Sequence, residues 1–415
     1  MTCSQADRDI VRSLAEEYAA IAALPIQRER AAEWTRLNDL VPGRPLLWIN
    51  ELPWQELNFN NELTLVCEDA FCQGVEWELR STLYQWRHLP GDMVIEPVLY
   101  SPLVIHDTGF GIQQEGEIII QEGGAVASQE FDPQITCEAD IEKIKTPVVT
   151  HDEEASEANF QRLSALVGDL VPVRKRGIQT AWFAPWDELI RWWGVQPALL
   201  DMVERPELVH RAMDRLVSAY LARLDQWVEQ NLLSLPEGNY RVGSGGYAYT
   251  SALPAEGFDP ARVRPLDQWG NATPQIFSTV SPAMHEEFAL QYERRWLERF
   301  GLTYYGCCEP LDTKLGILAS VPNLRKVSMS PWANLASATE QTGGKYVFSH
   351  KPNPAVLAED RFRPEIARQF LSEALEQCRG CPVEVILKDV STVRGDPQRL
   401  WAWAELAREV CEGFG

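Results

Sequence analysis

The feature that most narrows the fold is a rhythm of short apolar runs separated by long amphipathic segments, kept along most of the chain. Runs at 46–49, 93–99, 177–182, 240–247, 302–308, 325–329, 345–349 and 383–387 each have the length of one strand. Between them lie stretches of helical period: Leu208, Met213, Leu216, Tyr220 and Leu224 recur at helical intervals within 204–232, and 283–300 is rich in paired charges. Strands alternating with helices form a parallel sheet, because each helix returns the chain to the end of the sheet where the next strand starts. Eight such units close a barrel, so the pattern predicts an α/β (β/α)8 TIM barrel with its site at the carboxyl ends of the strands.

Three segments fall outside the repeat. Ile10, Leu14, Tyr18, Ile21 and Leu24 recur at helical spacing, so 1–40 is expected to be a helical cap. Residues 106–160 contain GFGIQQEGEIIIQEGGAVASQEFD, which reads as a strand hairpin, and an acidic run before a new helix. Residues 250–274 are rich in Pro and Gly. Both follow expected strands, so both are insertions placed on the C-terminal face of one domain spanning 1–415.

Charge and cysteine content limit the partners. A formal charge of -22 opposes approach to nucleic acid or an anionic membrane. No apolar run reaches the roughly 18 residues of a membrane span, and the amino terminus is charged, so the expectation is a cytoplasmic protein. Nine cysteines are an odd number, expected to be mostly reduced and buried.

WFAPW (182–186), the following LLD (199–201) and PELVH (206–210), SPAMHEEFALQYERRWLERFG (281–301) and DPQRLWAWAELARE (396–409) occur in the order of the expected strands. Together they resemble the uroporphyrinogen decarboxylase superfamily over about residues 40–412. The resemblance implies the barrel and leaves two chemistries: decarboxylation of porphyrinogens, or zinc-dependent methyl transfer linked to corrinoid proteins. True decarboxylases carry an Arg-Gln-Ala-Gly-Arg turn after the first strand to hold substrate carboxylates. Here that place reads Ile49-Asn50-Glu51-Leu52-Pro53-Trp54, which puts an acid where cations are needed. The methyltransferase branch is therefore the better match. In it a strand ends in His-x-Cys-Gly, whose His and Cys bind zinc; here Cys308 aligns with that cysteine and Gly306 replaces the histidine.

The candidate metal ligands are Cys307, Cys308, Glu309 and His350, the last just past the seventh run. Set against this, a Cys-Cys pair at a strand end is often one buried hydrophobe and one surface thiol, and a His before Lys-Pro-Asn-Pro often serves its own turn. Candidate acid/base groups are Glu96, in an otherwise apolar run, and Lys388 with Asp389 after the eighth run; the last two also suit a solvated ion pair. Glu51, Trp54, Trp182, Trp186, Tyr247 and Trp332 are candidate substrate contacts, the aromatics suiting a planar ligand, although any single Trp more often fills core. Cys378 and Cys381 have metal-ligand spacing but precede the eighth run, at the face that serves stability.

The resulting expectation is a methyltransferase moving a methyl group between a small, methoxylated or otherwise methylated planar substrate and a corrinoid protein. Zinc would act as Lewis acid on the departing atom. A metal-independent decarboxylase or lyase on a non-porphyrin substrate is the second reading, and a non-catalytic binding protein on a barrel scaffold the third. The resemblance also implies a homodimer.

Overall fold

Proline and glycine decide how far the rhythm becomes sheet. The computed structural model describes residues 3–120, 127–235 and 238–414. Its strands, in chain order, are β1 (Leu46–Ile49), β2 (Leu99–Pro102), β3 (Val104–Asp107), β4 (Gly116–Ile120), β5 (Ala127–Phe131), β6 (Val149–Asp152), β7 (Val173–Arg176), β8 (Trp269–Ala272), β9 (Leu302–Tyr305), β10 (Leu324–Met329), β11 (Val347–His350) and β12 (Val383–Leu387). Six of them form one parallel sheet in the order β1-β12-β11-β10-β9-β8.

The expected closed eight-stranded barrel is thus not what the described residues form. Five of the eight apolar runs join the sheet, and the sixth strand, β8, comes from the segment 250–274 read as an insertion. Run 93–99 yields only the start of β2, since Pro97 has no N–H to give to a ladder and Val98 N–H turns back to Glu96 O at 2.8 Å. Run 177–182 keeps a single bridge, Ile178 to Leu233. Run 240–247 folds as a turn, closed by Gly245 N–H to Val242 O at 2.8 Å and Val242 N–H to Gly246 O at 3.0 Å. The sheet edges are nonetheless covered. Asp92 N–H donates to Leu47 O at 2.7 Å beside β1, and the Gln268 and Asn271 amides reach Ile178 O and Ala181 O at 2.8 Å beside β8.

The cap consists of two helices, α1 (Gln5–Ala22) and α2 (Pro25–Asn38). Ser4 caps α1 by accepting from Asp7 N–H at 3.1 Å, and Val11, Ala15, Tyr18 and Ala22 line its buried face. That face packs on α3 (Ala70–His88), and a disulfide between Cys3 and Cys72 joins the two. The expectation of reduced cysteines therefore fails for this pair. β4 and β5 are the expected antiparallel hairpin, while 121–126, between them, lie outside the described residues.

Alternation along the strands sorts the sheet into two faces. Leu47, Ile49, Val327, Met329, Phe348, Val385 and Leu387 pack with Leu371, Leu375, Leu400 and Trp403 of the covering helices. The other face carries Leu46, Trp48, Val347 and Ile386 against Trp34 and Tyr247, and Trp269, Leu302 and Tyr304 against Val242. In the middle of it stand Lys326 and Glu384, both wholly buried and paired at 2.8 Å. Glu384 also accepts Gly246 N–H at 3.0 Å, and Lys326 Nζ donates to Tyr247 O at 3.2 Å, so the pair holds the turn of 242–247 against the sheet. Glycine is required there: a Cβ on Gly246 would meet the Trp34 ring at 2.5 Å.

Removing one member of a buried pair strands the other charge. Lys326→Met is expected to cost about 3–5 kcal/mol in urea unfolding, whereas Lys326→Met with Glu384→Leu recovers most of it. Equal losses in the single and double variants would show that the pair does not act as a unit.

Candidate active site

β1 and β12 are neighbours, and each is followed by an acid in left-handed backbone, Glu51 at φ 54° and Asp389 at φ 56°. Such a conformation costs a non-glycine residue about 1–3 kcal/mol and persists where its surroundings impose it. Here the two loops are tied by Val390 N–H to Glu51 O at 3.3 Å, and their carboxylates converge on one ammonium. Lys388 Nζ pairs with Asp389, lies 3.4 Å from Glu51 Oε2 and 3.9 Å from Cys308 Sγ, and its side chain is 5% exposed. Arg241, delivered by the glycine turn, takes the other oxygen of Glu51.

The charges set each other's protonation. Burial would raise the Glu51 carboxyl, but Arg241 and Lys388 hold it at about 2. Burial would lower Lys388, yet Cys307, Asp389, Cys308 and Glu51 keep it above the ordinary lysine range. Asp389 is raised by burial and by Glu51, against Lys388. Cys307 and Cys308 have their sulfurs 3.5 Å apart, and Cys308 Sγ lies 3.9 Å from Asp389 Oδ2. The hydrogen bond from Cys308, and then Lys388, lower the Cys307 thiol against burial, while Cys308 is raised. The two thiols therefore titrate as one coupled pair.

A second lysine behaves oppositely. Lys351, just past β11, is buried and donates to Tyr304 Oη at 2.6 Å, Ser349 Oγ at 2.6 Å and Ser349 O at 2.9 Å. Burial lowers it to about 7, with Lys388 and Arg241 adding to the effect and Glu384 and Cys307 opposing it. Ser244 Oγ lies 2.9 Å from the same Tyr304 hydroxyl. Asn50, at the end of β1, is buried with both amide atoms unpaired, and Arg241 Nε and Trp48 Nε1 are likewise buried without a partner. Unpaired buried polar atoms cost about 1–3 kcal/mol each, so a group of them beside ionised residues suits a bound ligand.

Of the residues singled out in the sequence, Glu51, Cys307, Cys308, Lys388 and Asp389 come together. Glu96 is elsewhere: Tyr18 donates to its carbonyl at 2.9 Å beneath α1, and its carboxylate accepts from Tyr100 and Tyr249 at 3.1 Å. The expected aromatic pocket does not form as a unit. Trp186 is buried with Nε1 on Phe288 O at 2.9 Å, Tyr247 stacks on Trp48 at 4.4 Å, and Trp54 packs edge-on against Trp77. Trp182 and Trp332 stay exposed. Arg241, Lys351, Tyr304, Ser244 and Asn50 were missed. Only the run of glycines at 243–246 hinted that backbone passes close to the site there.

The donor set expected for zinc does not assemble. Glu309 is fully buried and turned to Thr273 Oγ1 at 3.0 Å and Cys307 N–H at 2.9 Å. His350 shares the helix-facing parity of Phe348 on β11, whereas Ser349 and Lys351 take the other side. A cation already neighbours the Cys308 sulfur, the Lys388 ammonium at 3.9 Å. Among the described residues, the one group of three His, Cys, Asp or Glu with ligand atoms within 4.8 Å is Cys3, Asp69 and Cys72. There the two sulfurs form the disulfide, and Arg162 pairs with Asp69.

No family model matches the sequence, and no curated protein matches it. Solved structures similar to it include a methyltransferase from Methanosarcina mazei, at 12% identity and a TM-score of 0.51, covering 92% of this chain and 98% of that one. At that identity the likeness is one of fold. No helix among the described residues is long and apolar enough to cross a membrane.

Two measurements follow. Lys351 binds its proton less tightly folded, at about 7, than unfolded, at 10.5, so between those values the unfolded chain holds more protons and stability from this group rises with pH. The melting temperature of the wild type relative to Lys351→Met should therefore climb from about pH 7 to about pH 9.5; a constant difference rejects the depressed amine. Zinc content by elemental analysis should be the same for wild type and His350→Ala, and a loss on removing the imidazole would return His350 to a metal set.

Proposed function

We propose that the chain is a methyltransferase acting on a small methylated substrate, with a corrinoid protein as counter-partner and the Glu51-Arg241-Cys307-Cys308-Lys388-Asp389 cluster as its chemical site. The observation that carries this reading is the Lys388 ammonium, 5% exposed and clamped by two carboxylates beside a thiol pair. The fold shared with a methyltransferase is in keeping with it.

Moving a methyl group off oxygen, nitrogen or sulfur requires the departing atom to be stabilised as negative charge builds on it. Lys388 is the donor for that atom, and Glu51 and Asp389 orient the ammonium. Because these acids and the thiols keep Lys388 charged, it gives up its proton to a strongly basic departing atom rather than to water. Lys351, able to gain or lose a proton near neutrality and within electrostatic reach of Lys388, is a second proton carrier at the site. Asn50 offers an unpaired donor and acceptor to a polar substituent of the substrate. When bound, a corrinoid supplies the nucleophile for the methyl group. Exposed Cys308 and half-exposed Asp389 leave the cluster open to a partner from solvent.

A metal-independent lyase is the second reading, favoured by Lys351 itself, since a buried amine near neutrality is suited to proton transfer. The two separate in one assay. Incubation with methoxylated arenes and reduced cobalamin should give methylcobalamin by its absorbance, with Lys388→Gln slower by about 100-fold or more and Asn50→Ala acting mainly on KM. Release of carbon dioxide from carboxylated substrates without methyl transfer would replace the first reading by the second.

A further inference from the structure

His350 and Ser330 also lie near the strand ends, and the proposed cluster uses neither. Both border a cavity of about 480 Å³ between the ends of β10 and β11 and the helices Pro364–Gln377 and Pro397–Gly413. Its walls are mixed: Ala333, Leu371, Ala374 and Trp403 form an apolar side, Glu359, Glu373 and Gln377 a polar one, and Phe370 stands 56% exposed. His350 Nδ1 and Ser330 Oγ are buried, their residues 6% and 1% exposed, and neither atom has a hydrogen-bond partner. Two buried polar atoms without a partner carry a desolvation cost of about 1–3 kcal/mol each that a ligand removes by bonding to them.

We infer that this cavity is a second ligand site, taking an uncharged aromatic molecule whose single hydroxyl is received by His350 and Ser330. A hydroxyl both donates and accepts, which matches an imidazole nitrogen and a serine hydroxyl whichever of them carries the shared proton. An anionic ligand would meet Glu359 and Glu373 at the wall, and a cationic one would bring its charge towards Lys351. Burial, with Lys351 adding to it, lowers His350 to about 4, so the imidazole meets the ligand uncharged. The volume fits a ring system: a dry cavity of about 150 Å³ holds benzene, leaving room here for a fused bicycle. The cavity adjoins the lysine cluster at Lys351, which borders it while its ammonium is bonded to Tyr304 and Ser349; the His350 imidazole has no bond to that cluster.

The test is calorimetric titration of the full chain with 2-naphthol and, for comparison, naphthalene. One equivalent of 2-naphthol should bind, with naphthalene weaker by about 10-fold. Ser330→Ala and His350→Phe should each weaken 2-naphthol by about 5- to 10-fold and leave naphthalene unchanged. Ser330→Ala removes one oxygen, so it reads the contact even where His350→Phe fails to fold. The inference is overturned by absence of binding up to the solubility limit, by equal affinity in wild type and Ser330→Ala, or by loss of binding in Lys388→Gln. The last outcome moves the ligand to the other cluster.

Discussion

The Lys326–Glu384 pair is the interaction on which the arrangement rests. An ion pair wholly removed from water recovers its desolvation cost only when its remaining valences are satisfied. Here Gly246 N–H and Tyr247 O complete them, and both belong to one turn. Satisfying the pair therefore seats the glycine turn against the sheet. The turn in turn carries Arg241 to Glu51 and Ser244 to Tyr304. A packing requirement in the centre of the sheet thus reappears as charge placement at its end.

The two lysines at that end show how surroundings set chemistry. Lys388 is buried among two carboxylates and two thiols and stays charged, whereas Lys351 is buried among neutral hydroxyls, within reach of other cations, and falls to about 7. The same side chain, placed on opposite sides of the balance between desolvation and neighbouring charge, becomes a fixed cation in one case and a proton carrier in the other. Glu384 connects the two scales, being held down against burial by both Lys326 and Lys351.

The end of β11 divides the molecule in a similar way. Consecutive residues of a strand point to opposite faces, so His350 and Lys351, adjacent in sequence and both bordering one cavity, turn their nitrogens to different surroundings, Lys351 to Tyr304 and Ser349. The same period explains why His350 and Cys308, both at strand ends, do not meet: nearness to the end of a sheet says nothing about which face a side chain takes. A register change of one residue would exchange the roles of His350 and Lys351.

Much of the fold was legible in the chain. Helical spacing in 4–40, five of the eight strand-length apolar runs and the hairpin around 116–131 became the elements expected, because each depends on local period alone. The parallel sheet followed from the alternation of strands and helices. Closure did not, because it depends on every run pairing, and Pro97 and the glycines of 243–246 withdraw two of them from the ladder. At the site, Glu51, Cys308, Lys388 and Asp389 were visible as polar residues at strand ends, while Arg241, Asn50 and Lys351 were not. Residue type and spacing determined which groups this protein has available. Which of them share a space, and with what charge, was decided only by the tertiary fold, since facing, burial and unpaired hydrogen-bonding atoms are properties of neighbours far apart in the chain.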